Sequence, residues 1–232
     1  MHDHGTTLED WAQVAVSTRE WAALNPKAKF RDPITVQDVL DSRPMFYPFN
    51  LLNICLVTDA GGAVVLTRAD RAKDCAKKPV YLRGAGEATE HVFVTEMQNM
   101  PFSEATRMSG EKAFQMAGVT PSDFDHVMLY DAFSSGPPIM LESLGFCKPG
   151  EGVSYFEPGK SNPGGTLPIN TNGGGLSYTH SGMYGIFPLI EATRQQRGEC
   201  GDRQVPNCDL SLVNGMGGML SAAGTVVLST EK

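Results

Sequence analysis

Apolar residues recur at helical spacing near the start of the chain. Trp11, Val14, Ala15, Trp21 and Ala22 fall on one face of residues 6–25. Thr6 or Thr7 supplies an N-cap, and Glu9 and Asp10 bring negative charge to the first turn, where the helix dipole favours it. This pattern predicts a helix. Residues 26–50 hold Pro26, Pro33, Pro44 and Pro48 and read as loop, broken by a short helix from Thr35 to Leu40 with Thr35 as its cap. From Asn53 to Thr67 two apolar runs flank a glycine-rich centre, and the second, Ala63 to Thr67, predicts a buried strand. A short helix over Ala69 to Cys75 and a strand from Val80 to Ala88, ending in small residues, follow.

The second half alternates more regularly. Glu104 to Ala117 predicts a helix that buries Ala105, Met108, Ala113, Phe114 and Ala117, with Gly118 as C-cap. A turn at Thr120-Pro-Ser-Asp precedes a strand from Asp125 to Tyr130. A helix from Pro138 to Leu144 stops at Gly145, and Pro149 to Pro168 reads as loop. A helix spans Gly185 to Gly198. Strands over Leu210 to Val213 and Gly224 to Ser229 are separated by a small-residue loop, Asn214-Gly-Met-Gly-Gly-Met-Leu-Ser-Ala-Ala. Such alternation predicts an α/β sheet with chemistry on loops at strand ends.

Composition narrows the function classes. The chain has 232 residues and a net charge of −7. With no basic run, it lacks the footprint of a nucleic-acid binder. No apolar run reaches the ~18 residues of a membrane span, and the N-terminal residues do not read as a signal peptide. Five cysteines without Cys-x-x-Cys spacing predict free thiols in a reducing, cytoplasmic setting, and neither a disulfide framework nor a zinc site. His2 and His4 have no third ligand nearby and predict no metal site. Met100, Met108, Met116 and Met128 read as core filler, and His91 and His126 as surface or packing residues.

The candidate chemistry concentrates in Asn172-Gly-Gly-Gly-Leu-Ser-Tyr-Thr-His180-Ser-Gly-Met-Tyr184-Gly185. Three glycines let the backbone bend sharply and approach a ligand. A histidine between Tyr178 and Tyr184 suits acid–base work beside a bound carbonyl. The same stretch also reads as a glycine-rich turn before a helix, with His180 only capping it. Tyr130 and Asp131 end a buried strand: a phenol there is an acid or oxyanion donor, and Asp131 can orient a neighbour. Packing for Tyr130 and capping for Asp131 are the alternatives. The Asn214-Gly-Met-Gly-Gly segment offers backbone amides and little bulk, which suits an anion or thioester oxygen, but lacks P-loop spacing.

Taken together these segments resemble the thiolase superfamily, in the branch of sterol carrier protein X-type thiolases and thiolase-like steroid side-chain aldolases. Asp59-Ala-Gly-Gly-Ala-Val-Val-Leu is similar to the last strand of the family's first half. Ser109-Gly-(x)2-Ala113-Phe114-(x)2-Ala117-Gly118-Val-Thr-Pro121-(x)3-Asp125 resembles the opening of its second half. Tyr130-Asp131-Ala132-Phe133 sits where thiolases carry Asn-Glu-Ala-Phe. Gly173-Gly174-(x)4-Thr179-His180 resembles their Gly-Gly-(x)4-Gly-His, and Asn214-Gly-Met-Gly-Gly falls at their Cys-x-Gly-Gly-Gly.

The resemblance implies an α/β thiolase-like fold: the C-terminal half with a mixed sheet and covering helices, plus a partial loop domain. Residues 1–50 would be that loop domain, 51–78 the last strand and helix of the N-terminal half, and 79–232 the C-terminal domain. An exposed apolar face is then expected along Ala63 to Leu66 and beside Leu176.

It further implies catalytic roles for His180, Tyr130 and Tyr184, and substrate contacts from Asp131, Phe133, Gly174, Tyr178, Asn214, Gly215 and Gly217. Asn214 or its neighbour stands where the family carries its second-half cysteine, and an amide cannot shuttle protons. That disfavours Claisen thiolysis and favours retro-aldol cleavage of a lipid or steroid side-chain CoA ester. Thiolytic acyl transfer and non-catalytic lipid or acyl-CoA transfer are the other implied readings. CoA enters as part of the substrate, with no separate cofactor or metal. A homodimer and an OB-fold/zinc-ribbon partner protein are the implied assemblies.

Overall fold

The computed structural model describes residues 1–182, 184–218 and 220–232. Its first helices are α1 (Leu8–Ala23) and α2 (Val36–Asp41). Each starts on a threonine. Thr7 and Thr35 accept from the backbone N–H of Asp10 and Asp38 at 3.2 and 3.1 Å, and both carboxylates accept in return from the threonine N–H at 2.8 and 2.7 Å. These reciprocal caps satisfy N–H groups that the first turn leaves open, and such a cap contributes about 1 kcal/mol. A small hairpin of β1 (Pro44–Phe46) and β2 (Phe49–Asn50) follows, then α3 (Ala69–Ala72). The larger unit contains β3 (Tyr81–Thr89), α4 (Glu104–Ala117), β4 (His126–Leu129), α5 (Gly136–Ser143), α6 (Ile186–Arg197), β5 (Leu210–Gly217) and β6 (Ala222–Ser229).

One mixed sheet organises this unit, in the order β3-β6-β5-β4. β5 and β6 form an antiparallel hairpin, β3 pairs antiparallel with β6, and β4 runs parallel to β5. Side chains alternate across it with period two. Val127, Leu129 and Leu212 join Ala113, Phe114 and Leu141 from α4 and α5 on one face. Met128, Val213 and Leu228 meet Ala192 of α6 on the other. α4 lies unusually close to β3, because a Cβ at Gly84 or Gly86 would stand 2.1 Å from the carbonyl oxygens of Ala113 and Ser109. The small residues at the end of that strand therefore set the helix–sheet spacing.

Three expectations change. The segment Ala63 to Thr67 forms no strand: a β-ladder needs a partner, and none of the described strands lies beside it. Val65 and Leu66 are 94% and 82% exposed. Leu176, by contrast, is buried against Ala12, Ala15, Val16 and Val39, so α1 and α2 cover the face expected to lie open there. Finally, Asn214 to Gly217 continues β5 rather than forming a loop, since each residue pairs in register with Ala222 to Thr225. Met183 and Met219 lie outside the described residues. No helix among the described residues is long and apolar enough to cross a membrane.

Candidate active site

β4 ends beside the middle of β5, where the Tyr130 N–H donates to the Asn214 carbonyl at 3.1 Å. The chain then turns, and Asp131 drops into the interior with no exposed surface. Its carboxylate accepts from the N–H groups of Gly175 at 2.6 Å and Leu176 at 3.4 Å. Those amides belong to a single π-helical turn, Gly174–Tyr178. Gly173 and Gly174 have φ of +97° and +61°, and a Cβ at Gly174 would lie 1.9 Å from Asp131 Oδ2. At Gly175 it would lie 2.7 Å from His180 Cδ2. The glycines are thus fixed by close approach to a buried carboxyl and a histidine ring. Burial pushes the Asp131 carboxyl up to about 7, against the pull of the two backbone N–H groups.

The glycine turn delivers His180 to Tyr130. His180 Nε2 and the Tyr130 hydroxyl are 2.9 Å apart, and the rings are 5.3 Å apart between centroids. Burial lowers the imidazole below its ordinary pKa and raises the phenol above its own. The pair therefore rests as phenol and neutral imidazole, joined by a hydrogen bond whose donor is set by the tautomer of the ring. Tyr184 stacks on His180 at 5.7 Å and 22°. Its hydroxyl is turned to Asn172, donating to Oδ1 at 3.3 Å, and the side chain is 1% exposed.

Beside the pair lies a cavity of about 860 Å³. Tyr130 and Tyr184 form one wall; Met97, Phe133, Ile139, Leu189 and Met216 make most of the rest apolar. Gly215 and Gly217 line it with backbone only, and a Cβ at either would meet nothing within 4 Å. Phe133 stands at the rim, packed at 5.9 and 5.5 Å against Phe46 and Phe49 of the β1–β2 hairpin.

Residues 86–230 match the family described as thiolase C-terminal domain-like. The chain belongs to that family. It is 34% identical over 230 residues to an acetyl-CoA acetyltransferase of Methanothermobacter thermautotrophicus, covering 99% of this chain and 60% of that protein. A steroid side-chain-cleaving aldolase of Thermomonospora curvata is 38% identical over 203 residues, 85% of this chain and 51% of the relative. Among solved structures, the Ltp2-ChsH2(DUF35) aldolase superposes with a TM-score of 0.92 at 32% identity, over 100% of this chain and 61% of its own. The chain thus spans between 51% and 61% of the length of these relatives.

Within this thiolase C-terminal domain, the sequence-derived residues separate into groups. His180, Tyr130 and Asp131 come together as one unit, and Phe133, Gly215, Gly217 and Tyr184 line the cavity. Gly174 serves the turn instead of the cavity. Tyr178 meets Phe187 edge-on at 5.9 Å. The Asn214 side chain lies in the layer beneath α4: its Nδ2 donates to Thr225 Oγ1 at 2.8 Å, and Thr225 in turn bonds Ser109 at 2.8 Å. The reason is strand alternation, which puts Leu212 and Asn214 on the α4 face.

The methionines also separate. Met128 is core, Met116 is 66% exposed, and Met100 lines the cavity. His126 is fully buried, bonded to Ser211 at 3.2 Å and Thr171 at 3.0 Å, and burial pushes it down to about 4. Four cysteines are held as thiols by burial: Cys55, Cys200, Cys147 (up to about 12) and Cys208 (up to about 11). Sequence reasoning missed the wall formed by Val94, Met97 and Ser103. The only signal there was several apolar residues in a segment without helical or strand period.

Proposed function

We propose that the complete protein cleaves a carbon–carbon bond of a β-hydroxyacyl-CoA thioester by a retro-aldol reaction, with an apolar acyl group such as a lipid or steroid side chain. The observation that carries this reading is a phenol bonded to a neutral imidazole at the wall of a large apolar cavity. Substrate places its β-hydroxyl on Tyr130. The phenol takes the hydroxyl proton as it passes its own to His180 Nε2. Neither a free phenolate nor a free imidazolium forms beforehand, consistent with the raised phenol and lowered imidazole. The β-carbon becomes a carbonyl, the Cα–Cβ bond breaks, and its electron pair moves into the thioester enolate. That enolate takes up at Cα the proton held on His180, returned through Tyr130, which leaves the phenol and neutral imidazole as they began. Atoms and electrons balance without water, free CoA or a separate cofactor.

Asp131 holds the glycine turn that presents His180, and Tyr184 braces the imidazole from behind. The thioester fits against Gly215 and Gly217, where the bare backbone leaves room. Thiolytic acyl transfer is the second reading, favoured by the acetyl-CoA acetyltransferase relative. It needs a thiolate, and burial works against one at Cys55, Cys147, Cys200 and Cys208. The matched aldolase, Ltp2-ChsH2(DUF35), names two components, which supports a partner protein, expected to be of OB-fold/zinc-ribbon type. A second copy of the chain and a cytoplasmic location complete the proposal. The test is release of a ketone or aldehyde from a β-hydroxyacyl-CoA. Tyr130→Phe and His180→Ala should each lower turnover on the order of 10²-fold or more. Unchanged turnover in Tyr130→Phe would refute the relay.

A further inference from the structure

The segment from Ile54 to Thr58 carries no helix or strand, yet it touches both halves of the proposed relay. Ile54 forms an isolated antiparallel bridge to Phe133. The Cys55 N–H donates to the Ala132 carbonyl at 2.9 Å, on the turn that follows Tyr130 and Asp131. One residue on, the Leu56 N–H donates to the Gly175 carbonyl at 3.0 Å, on the glycine turn. Thr58 then reaches the histidine itself: its Oγ1 accepts from the His180 backbone N–H at 3.0 Å and lies 2.7 Å from Thr179 Oγ1. In five residues this strap ties the tyrosine turn to the histidine turn.

The three links differ in kind. Those from Cys55 and Leu56 run backbone to backbone and do not depend on which side chains stand there. The link from Thr58 runs through its hydroxyl: one lone pair accepts from the His180 N–H, and the same hydroxyl shares a bond with the Thr179 hydroxyl in which either oxygen can donate. A threonine or serine can do both at once, and valine, of nearly the same shape, can do neither. The backbone N–H of His180 is the origin from which its ring is aimed, and the ring must hold Nε2 at 2.9 Å from the Tyr130 hydroxyl.

We propose that Thr58 is a positioning residue for the Tyr130–His180 relay, fixing the histidine backbone through its hydroxyl while the rest of the strap fixes the tyrosine turn. Neither Thr58 nor His180 is among the residues that line the cavity, where Tyr130 is, so Thr58 acts on the chemical step through the histidine that it holds. The inference rests on the retro-aldol reading for its kinetic arm only.

The experiment compares Thr58→Val with Thr58→Ser in the full chain. Thr58→Val should lower kcat on the order of tenfold with KM within about twofold, and Thr58→Ser should restore kcat, since a misplacement of the reacting groups costs rate steeply. A second arm needs no substrate: ¹⁵N NMR of the His180 ring should show the Nε2 resonance of Thr58→Val move toward that of Tyr130→Phe, with Thr58→Ser close to the parent. If the parent protein cleaves no β-hydroxyacyl-CoA but the ring resonances move as stated, the reaction class is wrong and the positioning role stands. Unchanged kcat and ring resonances in Thr58→Val overturn the positioning role, as does a loss that Thr58→Ser fails to restore.

Discussion

Two glycine-centred stretches behave in opposite ways. Gly173-Gly174-Gly175 has two residues at positive φ, and a Cβ at each of the three would stand less than 3 Å from a neighbouring atom. Gly61-Gly62 has neither residue at positive φ. A Cβ at Gly61 would meet nothing within 4 Å, and one at Gly62 would stand 2.7 Å from the end of the flexible Ile190 side chain and not from a buried polar group. The first stretch is wrapped around a buried carboxyl and carries the histidine to its tyrosine. The second leads into an apolar run, Val64 to Leu66, that stands exposed. Glycine density alone therefore does not mark a site. The mark is backbone drawn so close to a buried polar group that no side chain fits between.

The sharpest way to break this comparison is to add one methyl group in each stretch. Gly174→Ala must adopt a left-handed conformation and displace the Asp131 carboxyl, and should lose more than about 3 kcal/mol in urea denaturation. Gly61→Ala, in open space at an ordinary φ, should change stability by less than about 1 kcal/mol. Similar losses at both positions would erase the distinction.

Asp131 sharpens it through pH. Its folded pKa, about 7, is raised from 3.8. The protonated carboxyl is therefore the form the fold prefers. Its contribution is fully present below about pH 4 and is lost as pH rises through 7, on the order of 4 kcal/mol in all. The stability difference between the parent and Asp131→Asn should shrink by that order across this window. A difference that stays flat from pH 4 to 7 would mean the carboxyl titrates normally.

Smaller effects are expected farther from the relay. Tyr184→Phe removes only the bond to Asn172 and keeps the stacked ring, so turnover should fall less than tenfold, well short of His180→Ala. Because burial lowers the His180 pKa below 6.5, the acid limb of kcat should lie below that value, the neutral ring being the active form. Smallest of all, Val65→Lys on the exposed run should shift stability by no more than about 0.5 kcal/mol. A larger loss there would show that this run is packed in solution.

Much of the fold was legible because local signals agreed. Thr7 and Thr35 cap their helices, Gly118 and Gly198 end theirs in left-handed geometry, and the strand periods match the sheet faces. The strand at Ala63–Thr67 was misread because an apolar run states its preference and says nothing about whether a ladder partner exists. For the site, His180, Tyr130 and Asp131 were visible as residue types at strand ends. The direction of each side chain was not. Tyr184 and Asn214 carry the right groups but point at Asn172 and Thr225, and strand alternation decides that only once the register is known. Thr58 left no signal, since 122 residues separate it from His180.

The central claim is that Tyr130 and His180 break a carbon–carbon bond without a thiol nucleophile. The most direct test incubates the complete protein with a β-hydroxyacyl-CoA in the absence of free CoA and quantifies both products. Retro-aldol cleavage yields equimolar carbonyl compound and shortened acyl-CoA, retained in Cys55→Ser, Cys147→Ser and Cys208→Ser. Product formation that requires free CoA and disappears with a cysteine substitution would contradict it.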